Sequence, residues 1–136
     1  MKGLRIALLL LLCLAFAACN NNDPECINFV PSCDTNEPVE GTLRIRVTQN
    51  NENATIPIAV YYGYIDDSSL YFRDTMTAAT ISYAVPFGRY SVSAAYRQGA
   101  DRITAIDGDR VRFKTNTECD FTCYTLVDGE IDLRLK

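Results

Sequence analysis

Apolar residues recur at every second position along the chain from residue 41 onward, which is the spacing of a β-strand with one buried face. Leu43, Ile45 and Val47 alternate with polar residues in the first such run, and a longer run extends from Tyr90 to Tyr96. No segment keeps the 3.6-residue period of an amphipathic helix. Strands at a spacing of roughly 8–12 residues predict an all-β fold, a single antiparallel β-sandwich of about seven strands with Greek-key connections.

Turn residues separate the predicted strands. Two of these turns are Asp-Gly pairs, Asp107-Gly108 and Asp128-Gly129, and each lies between two apolar runs. An Asp-Gly pair in that setting favours the two-residue turn of a β-hairpin. We therefore expect one hairpin within residues 103–113 and a second within residues 123–135. The other predicted turns are at 50–53, 66–69 and 86–88.

The composition excludes several classes of function. The chain has 136 residues, a formal net charge of −4 and a pI near 4.7, so electrostatics disfavour a nucleic-acid partner. It contains no His, which removes Ser-His-Asp and Cys-His nucleophile pairs, His-ligated zinc and an imidazole base. We therefore predict no catalytic residues, no resident metal and no cofactor, and we expect that the chain is not an enzyme.

The first nineteen residues have the three zones of an export signal. Lys2 and Arg5 precede an apolar run that is too short to span a membrane, and small residues lie just before Cys19. The sequence Leu14-Ala15-Phe16-Ala17-Ala18-Cys19 resembles the lipobox of bacterial lipoproteins. This resemblance implies removal of residues 1–18 and lipidation of Cys19. It also implies a lipid anchor in the cell outer membrane, with the domain on the periplasmic face or the cell surface. The alternative is an ordinary signal peptide that leaves Cys19 as a thiol.

Four further cysteines, Cys26, Cys33, Cys119 and Cys123, are an even number, which in an oxidising compartment favours two disulfides. In a regular strand, Cys119 and Cys123 would lie about 13 Å apart, too far to bond each other. Each would then pair with Cys26 or Cys33. Local pairing, 26 with 33 and 119 with 123, needs a turn in both segments and stays open. A four-cysteine zinc site is disfavoured by the spacing.

Three segments carry a second resemblance. They are Gly41–Ile45, Ile58–Val60 and Val85–Ala94. The third contains the step Val-Pro-x-Gly-x-Tyr-x-Val, and together the segments resemble the transthyretin-like, carboxypeptidase-regulatory-type β-sandwich. The resemblance implies that Gly88 takes a tight turn between two strands and that Tyr90 returns into the core. Members of that family act as accessory, adhesive or scaffold modules, so the resemblance does not specify a ligand.

The tyrosines are the best candidates for a binding surface. Alternation places Tyr61 and Tyr71 on the face opposite the core, beside Arg73, and exposed Tyr with Arg is a common recognition surface for sugars or protein partners. Scattered cross-strand packing is the alternative. The remaining strand tyrosines are predicted to lie in the core, and they are Tyr62, Tyr64, Tyr83, Tyr90 and Tyr96.

Two polar motifs have competing interpretations. Asp107-Gly108-Asp109 offers oxygen ligands for calcium, but the same residues suit a hairpin turn, which we favour. Asp66-Asp67 is likewise interpreted as a turn. Asp74-Thr75-Met76 resembles an O-glycosylation acceptor of some Gram-negative anaerobes, with Thr75 carrying the sugar.

These observations predict three regions: a signal peptide over residues 1–18, a lipidated tether over residues 19–40 and a β-sandwich domain over residues 41–136. The predicted function is that of a lipid-anchored, non-enzymatic binding or assembly module for a protein or glycan ligand. The alternative is an envelope hydrolase, or a hydrolase inhibitor, that uses loop carboxylates.

Overall fold

The computed structural model describes Cys26, residues 28–67 and residues 69–136. The chain divides into two units, residues 1–31 and Ser32–Lys136. In the first unit the described residues are Cys26 and 28–31. The second unit confirms the predicted all-β fold, because its strands form two sheets that pack as an antiparallel β-sandwich.

Eight strands form the sandwich. They are β1 (Glu40–Arg46), β2 (Ile56–Tyr62), β3 (Ser69–Met76), β4 (Thr80–Pro86), β5 (Gly88–Gln98), β6 (Asp101–Glu118), β7 (Phe121–Val127) and β8 (Gly129–Asp132). One sheet has the order β4-β1-β8, and the other has the order β3-β2-β5-β6-β7. Neighbouring strands among the described residues are antiparallel except for β1 and β8, which run parallel.

The core lies between the two sheets, and the alternation predicts most of it. Leu43 and Ile45 of β1 are fully buried, as is Val47 just after it. The buried apolar residues of β5 are Tyr90, Val92, Ala94 and Tyr96. The other buried apolar residues are Ile56, Ile58, Val60, Met76, Val85, Val111, Ile131 and Leu133. Burial of both inner faces is the main stabilising contribution to such a fold.

The step from β4 to β5 carries the chain from one sheet to the other. Tyr90 is fully buried, and its hydroxyl donates a hydrogen bond to the Pro86 carbonyl at 2.7 Å. A Cβ at position 88 would lie 2.5 Å from Cε2 of Tyr62, so the close approach of that ring suits glycine. The predicted turn and the predicted return of Tyr90 into the core are both confirmed.

The first predicted Asp-Gly hairpin is wrong, because residues 107–109 lie in the middle of the long strand β6. Their carboxylates bind the backbone of β8 instead. Asp107 Oδ2 accepts from the Asp132 amide at 2.8 Å, and Asp109 Oδ2 accepts from the Glu130 amide at 2.8 Å. Turn propensity is local, and here these bonds between sheets outweigh it.

The second predicted Asp-Gly hairpin is also wrong, because the strands that flank Asp128-Gly129 belong to different sheets. β7 pairs with β6, whereas β8 pairs in parallel with β1. A Cβ on Gly129 would lie 3.0 Å from side-chain carbons of both Leu43 and Val111. Glycine therefore suits this position, because a larger residue would press against two side chains of the core.

The hairpins that do form have other turn residues. The β5–β6 loop contains Gly99 with φ of 63°, and the β6–β7 turn is Cys119-Asp120 with φ of 43° and 69°. Two consecutive positive φ values are the requirement of a primed hairpin turn. Cys119 and Cys123 are therefore not in one regular strand, which corrects the premise used for their pairing.

The described cysteines are disulfide-bonded, as predicted. Cys33 pairs with Cys123, with 5.5 Å between their Cα atoms and a sequence separation of 90. Cys26 and Cys119 are also disulfide-bonded. The Cys33–Cys123 bond excludes the local pairing of Cys26 with Cys33 and of Cys119 with Cys123. A bond that closes so long a loop strongly restricts the unfolded chain.

The β6–β7 hairpin continues past the β4–β5 step as an arm, since Gly88 lies opposite Val111 and β6 runs on to residue 118. The segment before β1 lies along this arm, where the Tyr124 amide donates to the Asp34 carbonyl at 2.8 Å. Phe113 packs between Phe87 and Tyr124, with ring centroids at 4.9 and 5.5 Å. The arm is therefore fixed to the sandwich by aromatic contacts as well as by the disulfide.

Candidate functional site: an exposed tyrosine patch

Four large side chains near the end of β2 and the start of β3 are largely exposed. The exposed fractions are 49% for Tyr62, 60% for Tyr64, 45% for Leu70 and 47% for Tyr71. Exposed aromatic side chains at one end of a fold often mark a binding site. We call Tyr62, Tyr64 and Tyr71, together with Arg89, the tyrosine patch.

The rings of Tyr62 and Tyr71, on the core side of the sheet, pack against the buried Tyr90. The centroid of Tyr62 lies 5.4 Å from that of Tyr90 in a T-shaped contact, and the centroid of Tyr71 lies 5.9 Å away. The Tyr62 hydroxyl also donates to the Phe87 carbonyl at 3.3 Å. These contacts fix the rings before any partner arrives, which lowers the entropic cost of binding.

On the outer face, Tyr64 pairs with Arg89. The guanidinium carbon of Arg89 lies 4.2 Å from the ring centroid of Tyr64, within the range of a cation–π interaction. The Nε of Arg89 is buried and has no hydrogen-bond partner among residues 28–67 and 69–136. The patch therefore combines aromatic faces with a guanidinium cation.

The prediction that Tyr62 and Tyr64 lie in the core is wrong. β2 ends at Tyr62, and Gly63 then adopts a positive φ of 99° and donates its amide to the Arg89 carbonyl at 2.7 Å. The alternation consequently stops one residue after Tyr62. Gly63, which directly follows Tyr61 and Tyr62, is the sequence signal that indicates the end of the strand.

The structure does not bring Tyr61, Tyr71 and Arg73 together. A bulge shifts the β2–β3 register between Val60 and Tyr61, so Tyr71 turns to the core side and contacts Tyr90. Tyr61 lies opposite Leu70, and Arg73 lies opposite Ala59, both on the outer face. A bulge re-aims one side chain, and the sequence pattern alone does not reveal it.

Burial affects the acidity of the tyrosines beneath the patch. It raises the pKa of Tyr90 to about 12, and the neighbouring Tyr71 and Tyr62 add to the effect. Burial, followed by a hydrogen bond to Asp74, also raises the pKa of Tyr83. The same hydrogen bond, at 2.7 Å, lowers the pKa of Asp74. These phenols keep their protons at neutral pH.

Thr75 lies on the edge strand β3 with an exposed side chain. Its amide donates to Asp74 Oδ1 at 2.6 Å, and the next residue, Met76, is fully buried. The structure thus places the Thr75 hydroxyl within reach of a modifying enzyme. Glycosylation of Thr75 stays a prediction.

The carboxylates considered for metal binding or hydrolysis have structural contacts. Asp107 and Asp109 bind the β8 backbone, and Asp66-Asp67 lies in a turn as predicted. In the described part of the chain, one group of three potential metal ligands lies within 4.8 Å, namely Cys33, Glu118 and Cys123. Its two sulfur atoms are joined in the disulfide and are not thiolate ligands.

Cys19 and the lipobox-like segment lie outside the described residues. Within the described residues, no helix has the length and apolar character needed to cross a membrane. No model of a protein family, no curated protein and no solved structure matches this chain.

Proposed function

We propose that this protein is a non-enzymatic binding or assembly module of the cell envelope, held at the outer membrane by lipid on Cys19, and that its tyrosine patch contacts a protein or glycan partner. The observation that carries the proposal is the exposure of three tyrosines that are fixed in place by Tyr90 and Arg89. Rigid aromatic side chains supply large contact area at low entropic cost.

The position of the patch supports this role. Glu40 lies opposite Pro86, and Tyr62 lies opposite Tyr90, so the patch and the start of β1 are at the same end of the sandwich. We call this end the aromatic end. On the proposed attachment through Cys19, the patch is on the side of the domain from which the tether leaves.

Disulfide bonds persist in oxidising compartments outside the cytoplasm, so the disulfides of this chain support a place in the cell envelope. We also infer that the sandwich is of the transthyretin-like type. The β4–β5 step, with Tyr90 bonded to Pro86, supports that relationship. The hydrolase alternative has less support, because Asp107 and Asp109 each accept a hydrogen bond from a backbone amide of β8.

The patch can be tested by titrating the full-length protein with soluble glycans and with solubilised envelope proteins. The chain has no Trp, so its intrinsic emission comes from its eight tyrosines, which include the three in the patch. We expect saturable quenching that the double variant Tyr64→Ser/Tyr71→Ser weakens by about tenfold or more. Tyr61→Ser, which removes a ring from the outer face of the same strand pair, is the matched control. Equal loss in the control, or no saturable ligand in either panel, would contradict the proposal.

Anchoring is tested separately with labelled fatty acid. We expect label on the wild-type protein and none on Cys19→Ala. Label that persists in Cys19→Ala, or that never appears, argues against the lipid anchor without affecting the patch.

A further inference from the structure

The end of the sandwich opposite the tyrosine patch contains a cleft of about 410 Å³. It lies between the loop that precedes β2 and the outer face of the five-stranded sheet, where the β5–β6 hairpin begins. We call this end of the sandwich, which contains the β5–β6 loop, the hairpin end. Its lining residues include Asn51, Thr55, Ala95, Arg97 and Arg102. The volume is that of a small-molecule site.

Two arginines face each other beside this cleft. Arg97 of β5 lies directly opposite Arg102 of β6. The amide and the carbonyl of Arg97 both bond to the Asn53 side chain, at 2.7 and 3.0 Å, so they point away from β6. The two arginines are therefore a pair of the non-hydrogen-bonded kind, in which side chains of neighbouring strands come closest.

This arrangement has an unfavourable electrostatic energy in the isolated domain, because like charges directly opposite each other repel. Among residues 28–67 and 69–136, neither guanidinium makes an ion pair or a hydrogen bond. By contrast, Arg44, Arg46 and Arg134 each have a carboxylate partner. Glu52 also lines the cleft, and its Oε1 accepts from the Gly99 amide rather than from either arginine.

The loop that forms the other wall of the cleft is held in place. Asn53 is buried, and its amide group takes the position of a strand partner for Arg97. Asn50 Oδ1 accepts from the Asn53 amide at 2.7 Å, and Glu52 Oε1 accepts from the Gly99 amide at 2.5 Å. A wall fixed in this way gives a preformed cleft.

We propose that this cleft binds a small acidic sugar, with its carboxylate on Arg97 and Arg102. A planar guanidinium matches a carboxylate in a two-point hydrogen bond, and an anion between two guanidiniums offsets part of their mutual repulsion. The Asn51 and Thr55 side chains make no hydrogen bond in the described part of the chain and offer partners for sugar hydroxyls. Ala95 and Pro57 provide an apolar floor for the ring. The site is independent of the proposed role of the tyrosine patch.

The test is calorimetric titration of the full-length protein with glucuronate, galacturonate, glucose and inorganic phosphate. We expect at least one uronate to bind, with an affinity that falls as salt is raised, and we expect no binding of glucose. Arg97→Gln and Arg102→Gln should each weaken uronate binding by about tenfold or more. Arg73→Gln removes the same charge from the outer face of the same sheet and should leave binding unchanged.

The thermal midpoint separates this role from a structural one. Without ligand, Arg97→Gln should raise Tm slightly, because it relieves the repulsion, and a fall in Tm would assign the arginines a structural role instead. The proposal is overturned if neither uronate binds, if phosphate binds and the uronates do not, or if Arg73→Gln weakens binding as much as Arg97→Gln.

Discussion

The aromatic end and the hairpin end of the sandwich are held by different forces. At the aromatic end, the contacts are those of rings: Tyr62 and Tyr71 on Tyr90, and Phe113 between Phe87 and Tyr124. At the hairpin end, they are hydrogen bonds between the Asn53 side chain and the backbone of β5. The first end presents apolar surface and the second presents charge, so the two ends are suited to different ligands.

The largest expected effect concerns the arm at the aromatic end. The double variant Cys33→Ser/Cys123→Ser removes this cross-link, and we expect the free energy of unfolding to fall by about 3 kcal/mol, because the disulfide bonds of Cys26 and Cys119 still restrict the unfolded chain. Urea denaturation measures this change. A loss below about 1 kcal/mol would mean that aromatic packing alone fixes the arm.

The next effect concerns the hairpin end. Asn53→Ala leaves the Arg97 amide and carbonyl without their partner, and we expect a loss of about 2 kcal/mol in the free energy of unfolding. Hydrogen exchange of the Arg97 amide should become faster in the same variant. Asn51→Ala changes an exposed asparagine two residues away and is the control. Equal effects of the two changes would show that the Asn53 bonds do not hold the loop.

Alkaline pH should lower the stability of the domain, and part of this loss should come from ionisation of Tyr90 at the aromatic end. The pKa of Tyr90 is raised to about 12 from 10.0, so its contribution to stability is complete below pH 10 and is lost as the pH rises through about 12. Burial also raises the pKa values of Tyr83 and Tyr96, and because Tyr96 lines the cleft at the hairpin end, its ionisation adds a loss there. Denaturation curves measured from neutral pH to pH 12 should show the decline.

Tyr90→Phe isolates part of this effect. At neutral pH it removes the hydrogen bond to the Pro86 carbonyl, which should cost about 1 kcal/mol, and it should also reduce the alkaline decline. Tyr64→Phe, at an exposed ring, is the control. An unchanged alkaline decline in Tyr90→Phe would mean that titration of this residue does not limit stability.

The smallest effect lies away from both ends. Glu130 binds Arg44 at 3.0 Å and Arg46 at 2.9 Å on an exposed face of the three-stranded sheet. Because water screens such pairs, Glu130→Gln should change the free energy of unfolding by about 0.5 kcal/mol, and less at high salt. A larger change would mean that ion pairs across β1 and β8 contribute as much as the contacts at either end.

The sequence predicts what depends on local alternation. The buried faces of β1 and β5 follow directly from residues such as Leu43, Ile45 and Val92, because a two-residue period places them on one face. The even cysteine count likewise predicts the disulfides. Long-range contacts are not encoded in the same way. In isolation, Asp107 and Asp109 favour a turn. In the folded chain they lie within a strand, where their carboxylates accept hydrogen bonds from backbone amides of β8.

The candidate site was less predictable than the core, for related reasons. Tyr71 reaches Tyr90 through a bulge, and Tyr62 is exposed because the strand ends there. Arg97 and Arg102 become neighbours only when the β5–β6 register is known. Each of these features depends on which residues of one strand lie beside those of another, and alternation along a single strand does not contain that information.

The Cys33–Cys123 bond also determines how the domain responds to mechanical load. A protein tethered by its amino-terminal segment is pulled from residues before Cys33, and the covalent link passes that force directly to β7. The residues between the two cysteines, which include β1 to β6, are then outside the path of the force. A pulling force therefore acts on the residues after Cys123, which include β8, before it acts on β1 to β6.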